Sequence, residues 1–229
     1  MIKSLRNSET DTLRSRKKCV KKFLYYFKKG YEDPKYISWE RDYKEAAHKQ
    51  FQDQLNKKAF KSLLKEQKFE TIAGIAVKIE SRTNLLFSFE KMALRDAVKS
   101  HEGAKVFATG LFDYVYGEKS LKDRFEAFVR VVEKLPRKQT RVLTWPLVTV
   151  FGFIANPQEH IFLKPTVTKI AAKKYDYTFN YVSKPNWNTY HSLLQFANEI
   201  RKETISYHPK DYIDLQSFIW VVGSEEYPD

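Results

Sequence analysis

Residues 143–155, LTWPLVTVFGFIA, run for thirteen positions without a charge, in a chain that carries 41 Lys and Arg against 28 Asp and Glu. A stretch this apolar belongs inside a protein, and it is shorter than the roughly 18 apolar residues that span a bilayer. Other parts of the chain therefore have to enclose it. Thr144, with Pro146 in the first turn, starts a helix, and Asn156-Pro157 stops it. The sequence predicts a buried helix over 145–155, with Val148 to Ile154 as the core of the C-terminal half.

The enclosing elements read as helices. Val20, Phe23, Leu24 and Phe27 recur at helical spacing, with Thr10 or Asp11 as a cap and Gly30 as a stop. After the Asp33-Pro34 turn, Ser38 is placed to cap a helix running to Asn56, on an i, i+4 stripe of Trp39, Tyr43, Ala47, Phe51 and Leu55. A short helix at 57–67 buries Phe60, Leu63 and Leu64. Two more follow at 70–82 and 84–99, the second with Leu85, Phe89, Met92 and Ala93 inward. Ser100 caps 101–116, and Ser120 caps 121–134. Pro165 starts a helix to about Lys174, Asn186 caps a long one to about Ile205, and a last helix covers 211–222. Only YDYTFNYVSKP (175–185) alternates as a strand or hairpin arm does. Seven glycines and eight prolines are too few for a protein built on many tight turns. The expected fold is an all-α bundle of about ten helices with at most one small hairpin. LPRKQT (135–140) is the internal boundary. It separates a basic N-terminal helical part, 1–135, from a C-terminal helical part, 136–229, as two units or one continuous domain.

The formal net charge is +13. A surplus of this size concentrates anions around the chain, and nucleic acid is the commonest such partner. The first helix carries Arg14, Arg16, Lys17, Lys18, Lys21, Lys22, Lys28 and Lys29 with no acid between positions 14 and 29. Solvated faces usually mix signs, so a face of one sign points to a partner. Arg14, Lys17, Lys18, Lys21 and Lys22, with Lys164, Lys169, Lys173, Lys174 and Arg201, are the expected phosphate contacts, DNA and RNA alike. Tyr25, Tyr26, Tyr175 and Tyr177 are the expected stacking rings. His160, Lys164 and Trp187 are expected at the rim of a shallow site, since Pro165 and Asn186 each begin a helix there. A subunit that meets a protein partner through exposed aromatics is the competing reading.

Catalytic patterns are sparse. No phosphate-binding glycine loop is present, and the five histidines are scattered, so neither a cofactor nor a metal is expected. Cys19 stands alone, which rules out an internal disulfide and fits a reducing cytosol. The N-terminal MIKSLRNSETDT lacks the apolar core of a secretory signal, and no membrane span is expected, so the expected location is the cytoplasm. Arg41 to His48 (RDYKEAAH) and Arg95 to His101 (RDAVKSH) pair a phosphate-binding arginine with an acid–base histidine on one helix. The pairing resembles the RxxxxH-type motif of HEPN-family ribonucleases, which are also all-α, though each spacing here is one or two residues longer. The resemblance implies metal-independent RNA cleavage as an alternative activity. ESRTNLLFSFEKMALRD (80–96) sets Glu80, Arg82, Asn84, Glu90, Lys91, Arg95 and Asp96 around an apolar stripe, as a buried polar network or as surface pairs.

From about Gly30 onward, GYEDPKYISWERDYKEAAH, ESRTNLLFSFEKMALRDA and the block from Arg141 to Tyr227 together resemble an uncharacterised bacterial protein family. The C-terminal block also resembles helical modules found beside McrB-like restriction NTPases, on its apolar helix, its Asn-Pro turn and its Phe162-Leu163-Lys164-Pro165 helix start. That resemblance implies a defence or DNA-transaction setting and a recognition role. It supplies no catalytic residues.

Overall fold

The computed structural model describes residues 2–138 and 141–229, with side chains from residue 11 onward in the first helix. Gln139 and Thr140 of the expected boundary, and the side chain of Thr10, lie outside the described residues. All regular elements described are helical. They are α1 (Ile2–Tyr26), α2 (Pro34–Tyr36), α3 (Asp42–Leu55), α4 (Lys57–Lys65), α5 (Phe69–Ser81) and α6 (Ser88–Ala97). Then come α7 (His101–Tyr116), α8 (Leu121–Lys134), α9 (Trp145–Ala155), α10 (Pro165–Tyr175), α11 (Trp187–Glu203) and α12 (Tyr212–Gly223).

Two helices are the axes of the packing. Every residue of α9 is buried, and α3, α5, α6, α7 and α8 enclose it. Phe151 is 1 % exposed and packs edge-on against Phe107 of α7. The second axis is α12, buried at every position except Trp220 and enclosed by α1, α10 and α11. Gly223 at its end allows the approach of α10, since a Cβ there would lie 2.2 Å from the Val167 carbonyl oxygen. Buried side chains on both sides of residues 135–136 belong to one apolar cluster.

Side-chain caps fall where the sequence places acceptors. Ser100, Ser120 and Asn186 accept from the amides of Gly103, Asp123 and Thr189. Elsewhere the structure departs from expectation. The first helix begins upstream of Thr10 and Asp11, and it ends at Tyr26, short of Gly30. Ser38 is no cap: Asp33 caps α2, and a π-turn, Ile37–Arg41, joins α2 to α3. The extra residue per turn rotates the stripe. Trp39 is swung out to 54 % exposure, while Glu40, Arg41 and Lys44 turn inward. In α6, Phe89 and Met92 face outward, because Glu90, Ala93, Leu94 and Ala97 fill the buried side. Residues 176–186 form no strand; their backbone bonds to the α11 side chains Ser192 and Thr189. No helix is long and apolar enough to cross a membrane among the described residues.

Gly152 tests how tightly α9 is held. A Cβ at this position would lie 2.8 Å from the Tyr114 ring and 2.9 Å from His160, both fully buried. Gly152→Ala is expected to cost about 1–3 kcal/mol, as overpacking of a filled core does. Urea denaturation would measure it, and an unchanged midpoint would mean that these rings have room to move.

Candidate functional site

α1 lies against α10 and α12 with Phe23 and Phe27 inward. Its outer side presents Arg14, Lys17, Lys18 and Lys21 to solvent, Lys28 and Lys29 are exposed in the turn after it, and none of the six makes an ion pair among the described residues. α10 continues the surface with Lys169 and Lys173, also exposed. The two helices meet at a groove of about 750 Å³ lined by Lys18, Lys22, Tyr25, Tyr26 and Lys174. Here the Asp229 carboxylate bridges Lys22 Nζ at 2.7 Å and Lys174 Nζ at 2.6 Å. Hydrogen bonds from those two lysines pull the Asp229 pKa down to about 2. Tyr25 is 77 % exposed beside the basic row, its ring at right angles to that of Tyr26 at 5.2 Å. Cys19 sits beneath the groove at 4 % exposure, and burial pushes its thiol up to about 11 despite the lysines around it.

Several expected contacts lie elsewhere. Arg16, basic but not among those contacts, reaches Glu199 at 3.1 Å and Glu203 at 3.5 Å, with its guanidinium over the Tyr175 ring. Tyr175 is fully buried and Tyr177 is stacked on Phe196, so neither ring is offered to a base. Arg201 turns back to the Pro209 carbonyl and the Tyr212 ring. Trp187 packs among Phe125, Tyr190 and His191. The expected rim of His160, Lys164 and Trp187 is not assembled. His160 is fully buried against Tyr114, with Nε2 3.4 Å from Glu159, and burial holds its pKa below the ordinary value. Lys164 is buried as well, donating to Leu85 O at 2.9 Å and facing Glu90 at 3.5 Å.

The Arg41–His48 pair does share a cavity, of about 260 Å³. Arg41 Nε donates to Glu45, Nη1 to Asp211 and Asp214, and Nη2 to Asp211, at 2.7–3.0 Å. The guanidinium is therefore spent on carboxylates. Burial works against its charge, and Asp211 and Asp214 outweigh burial to hold its pKa above the ordinary value. His48 Nδ1 lies 2.8 Å from the Ile154 carbonyl oxygen and ties α3 to the end of α9. Arg95 is exposed, and His101, also exposed, pairs with Glu70 at 2.7 Å. No hydrogen bond or ion pair joins the two Arg–His pairs among the described residues.

The polar network suspected in 80–96 is partly buried. Glu80 is 1 % and Glu90 5 % exposed. Lys91 donates to the Thr83 carbonyl at 2.6 Å beside Glu80, and Glu90 accepts from the Phe87 amide at 2.8 Å. This arrangement frames a cleft that sequence reasoning missed. It has two adjoining lobes of about 690 and 350 Å³, which share Phe87, Lys164, Trp220 and Glu226. Phe87 and Phe89 stack on each other at 5.6 Å and stay about half exposed at its mouth. Lys164 Nζ lies 3.3 Å from the Phe87 ring centroid. The one available signal was Glu90, which shares the i, i+3, i+4, i+7 face of Ala93, Leu94 and Ala97 and leaves Phe89 and Met92 off it. Among the described residues no group of three or more His, Cys, Asp and Glu could hold a metal ion.

The chain matches no protein-family model, no curated protein and no solved structure.

Proposed function

We propose that this protein binds nucleic acid, holding the phosphate backbone across α1 and α10. The observation that carries the reading is the exposed row Arg14, Lys17, Lys18 and Lys21, free of ion pairs among the described residues and extended by Lys169 and Lys173 on α10. Exposed cations without carboxylate partners retain their full field, and phosphates release counterions when they meet it. The role is recognition rather than chemistry, since Arg41 is taken up by Asp211 and Asp214. The resemblance of the C-terminal block to modules beside McrB-like NTPases points the same way, toward a defence or DNA-transaction setting.

The test is a titration of a labelled oligonucleotide at several salt concentrations. Six phosphate contacts give a slope of log K against log salt of about −5 on duplex DNA and about −4 on a single strand. No binding at low salt, or a slope near zero, would overturn the reading. Asp229 gives a further expectation, because its carboxylate holds two lysines that a phosphate would otherwise meet. Asp229→Asn should tighten binding by about two- to fivefold, the scale of one exposed ion pair. Weaker binding by this variant would place the groove outside the interface.

A further inference from the structure

We propose that the two-lobed cleft beside Phe87 and Lys164 receives an unstacked base of a single-stranded nucleic acid whose phosphates run along α10 and α1. The inference rests on the nucleic-acid reading above and adds the form of the ligand and a second contact site.

The cleft and the basic surface lie at opposite ends of one helix. Thr166, Val167 and Ile170, in the first half of α10, line the larger lobe. Lys174, near the last residue of α10, lines the groove with α1. Between them Lys169 lies over the Tyr181 ring, itself a wall of the cleft, at 4.9 Å. Eleven residues of α-helix span about 16 Å, a reach of a few nucleotides. A strand following Lys173 and Lys169 toward the N-terminal end of α10 arrives at the cleft.

The interior suits a base better than a phosphate. Lys164 is already engaged by Glu90 and the Leu85 carbonyl, and Glu225 and Glu226 stand at the rim. A phosphate would meet these carboxylates, with Arg141 the one lining cation outside an ion pair among the described residues. The walls are rings instead: Phe87, Phe89, Tyr181 and Trp220. A lobe of about 690 Å³ is within the range that takes small planar ligands. Of the six buried polar atoms without partners among the described residues, two belong to residues that line the cleft. Thr144, with its Oγ1 unpaired, lines the larger lobe, and Gln216, with its Oε1 unpaired and the residue only 4 % exposed, lines the smaller. Unpaired buried polar atoms are rare, and these two add hydrogen-bonding capacity to walls that are otherwise mostly rings. Duplex DNA keeps its bases stacked, so the site selects single strands.

Three probes of equal length and label separate the possibilities for the full chain: a thymidine dodecamer, the same backbone with abasic positions, and a duplex. The dodecamer is expected to bind about tenfold or more tightly than the abasic strand, the scale of aromatic stacking on one base. Phe87→Ala/Phe89→Ala should abolish that difference while leaving the salt slope unchanged. Both side chains are half exposed, so the fold should survive, and circular dichroism would check it. A 2-aminopurine in the strand should show quenched fluorescence with the wild type and not with the double variant. If the dodecamer and the abasic strand bind equally, or if the double variant keeps the preference, the cleft takes no base and the basic surface stands alone. If none of the three probes binds, the nucleic-acid reading falls and this inference falls with it.

Discussion

Arg41→Ala should be among the most destabilising single substitutions in the chain, costing about 3–5 kcal/mol. The guanidinium is about 8 % exposed and neutralises two buried carboxylates, Asp211 at 7 % and Asp214 at 0 % side-chain exposure. Removing it strands both charges in a setting where burial already pushes the Asp214 carboxyl upward. The damage would spread, because Tyr36 donates to Asp214 at 2.5 Å and Asp211 caps α12. Arg82 is the control. It bonds Gln50 on the surface, and Arg82→Ala should change stability by less than about 0.5 kcal/mol. Guanidinium denaturation of both variants measures the contrast. Asp214→Asn added to Arg41→Ala should recover part of the loss, since it removes one stranded charge. Equal stability of Arg41→Ala and wild type would mean that the network has no hold on α12.

The largest functional effect should come from reversing Arg14, Lys17, Lys18 and Lys21 to Glu together. All four are exposed and unpaired among the described residues, so the fold should be retained. Four of six phosphate contacts are lost and four repulsions appear. Affinity should fall by on the order of 10²–10³ at low salt, and the salt slope should flatten by about three to four. The loss should be alike for unrelated sequences, since phosphate contacts carry no base information. Anisotropy titrations of the variant at several salt concentrations would read both quantities. An unchanged slope would remove α1 from the interface.

Local chemistry was legible in the sequence where it decides structure within a few residues. Ser100, Ser120 and Asn186 announce helix starts because their side-chain oxygens accept an amide three positions on. The uncharged run 145–155 announces its own enclosure. The exposed basic row on α1 was legible too, because helical spacing places Arg14, Lys17, Lys18 and Lys21 opposite Phe23 and Phe27. What was not legible depends on partners far away in the chain. The stripe Trp39, Tyr43, Ala47 looked continuous, yet the π-turn exposes Trp39, and Arg41 and Lys44 go inward to meet Asp211, Asp214 and Ser217 some 170 positions later. Asp211 and Asp214 in the largely apolar DYIDLQSFIWVVG were the available hint, since buried carboxylates need cations. Lys164 read as a free cation next to a helix start. Glu90, from a separate part of the sequence, made it a buried partner.

Lysine footprinting tests most directly whether α1 and α10 form the interface. The protein would be acetylated with and without a saturating single-stranded oligonucleotide, and each lysine followed by mass spectrometry. Lys57, Lys58 and Lys61 on α4 supply an internal control, being exposed and basic too but on a different helix. The expected result is that Lys17, Lys18, Lys21, Lys169 and Lys173 lose reactivity in the complex while the α4 lysines keep theirs. Unchanged reactivity throughout, or protection on α4 instead of α1 and α10, would contradict it.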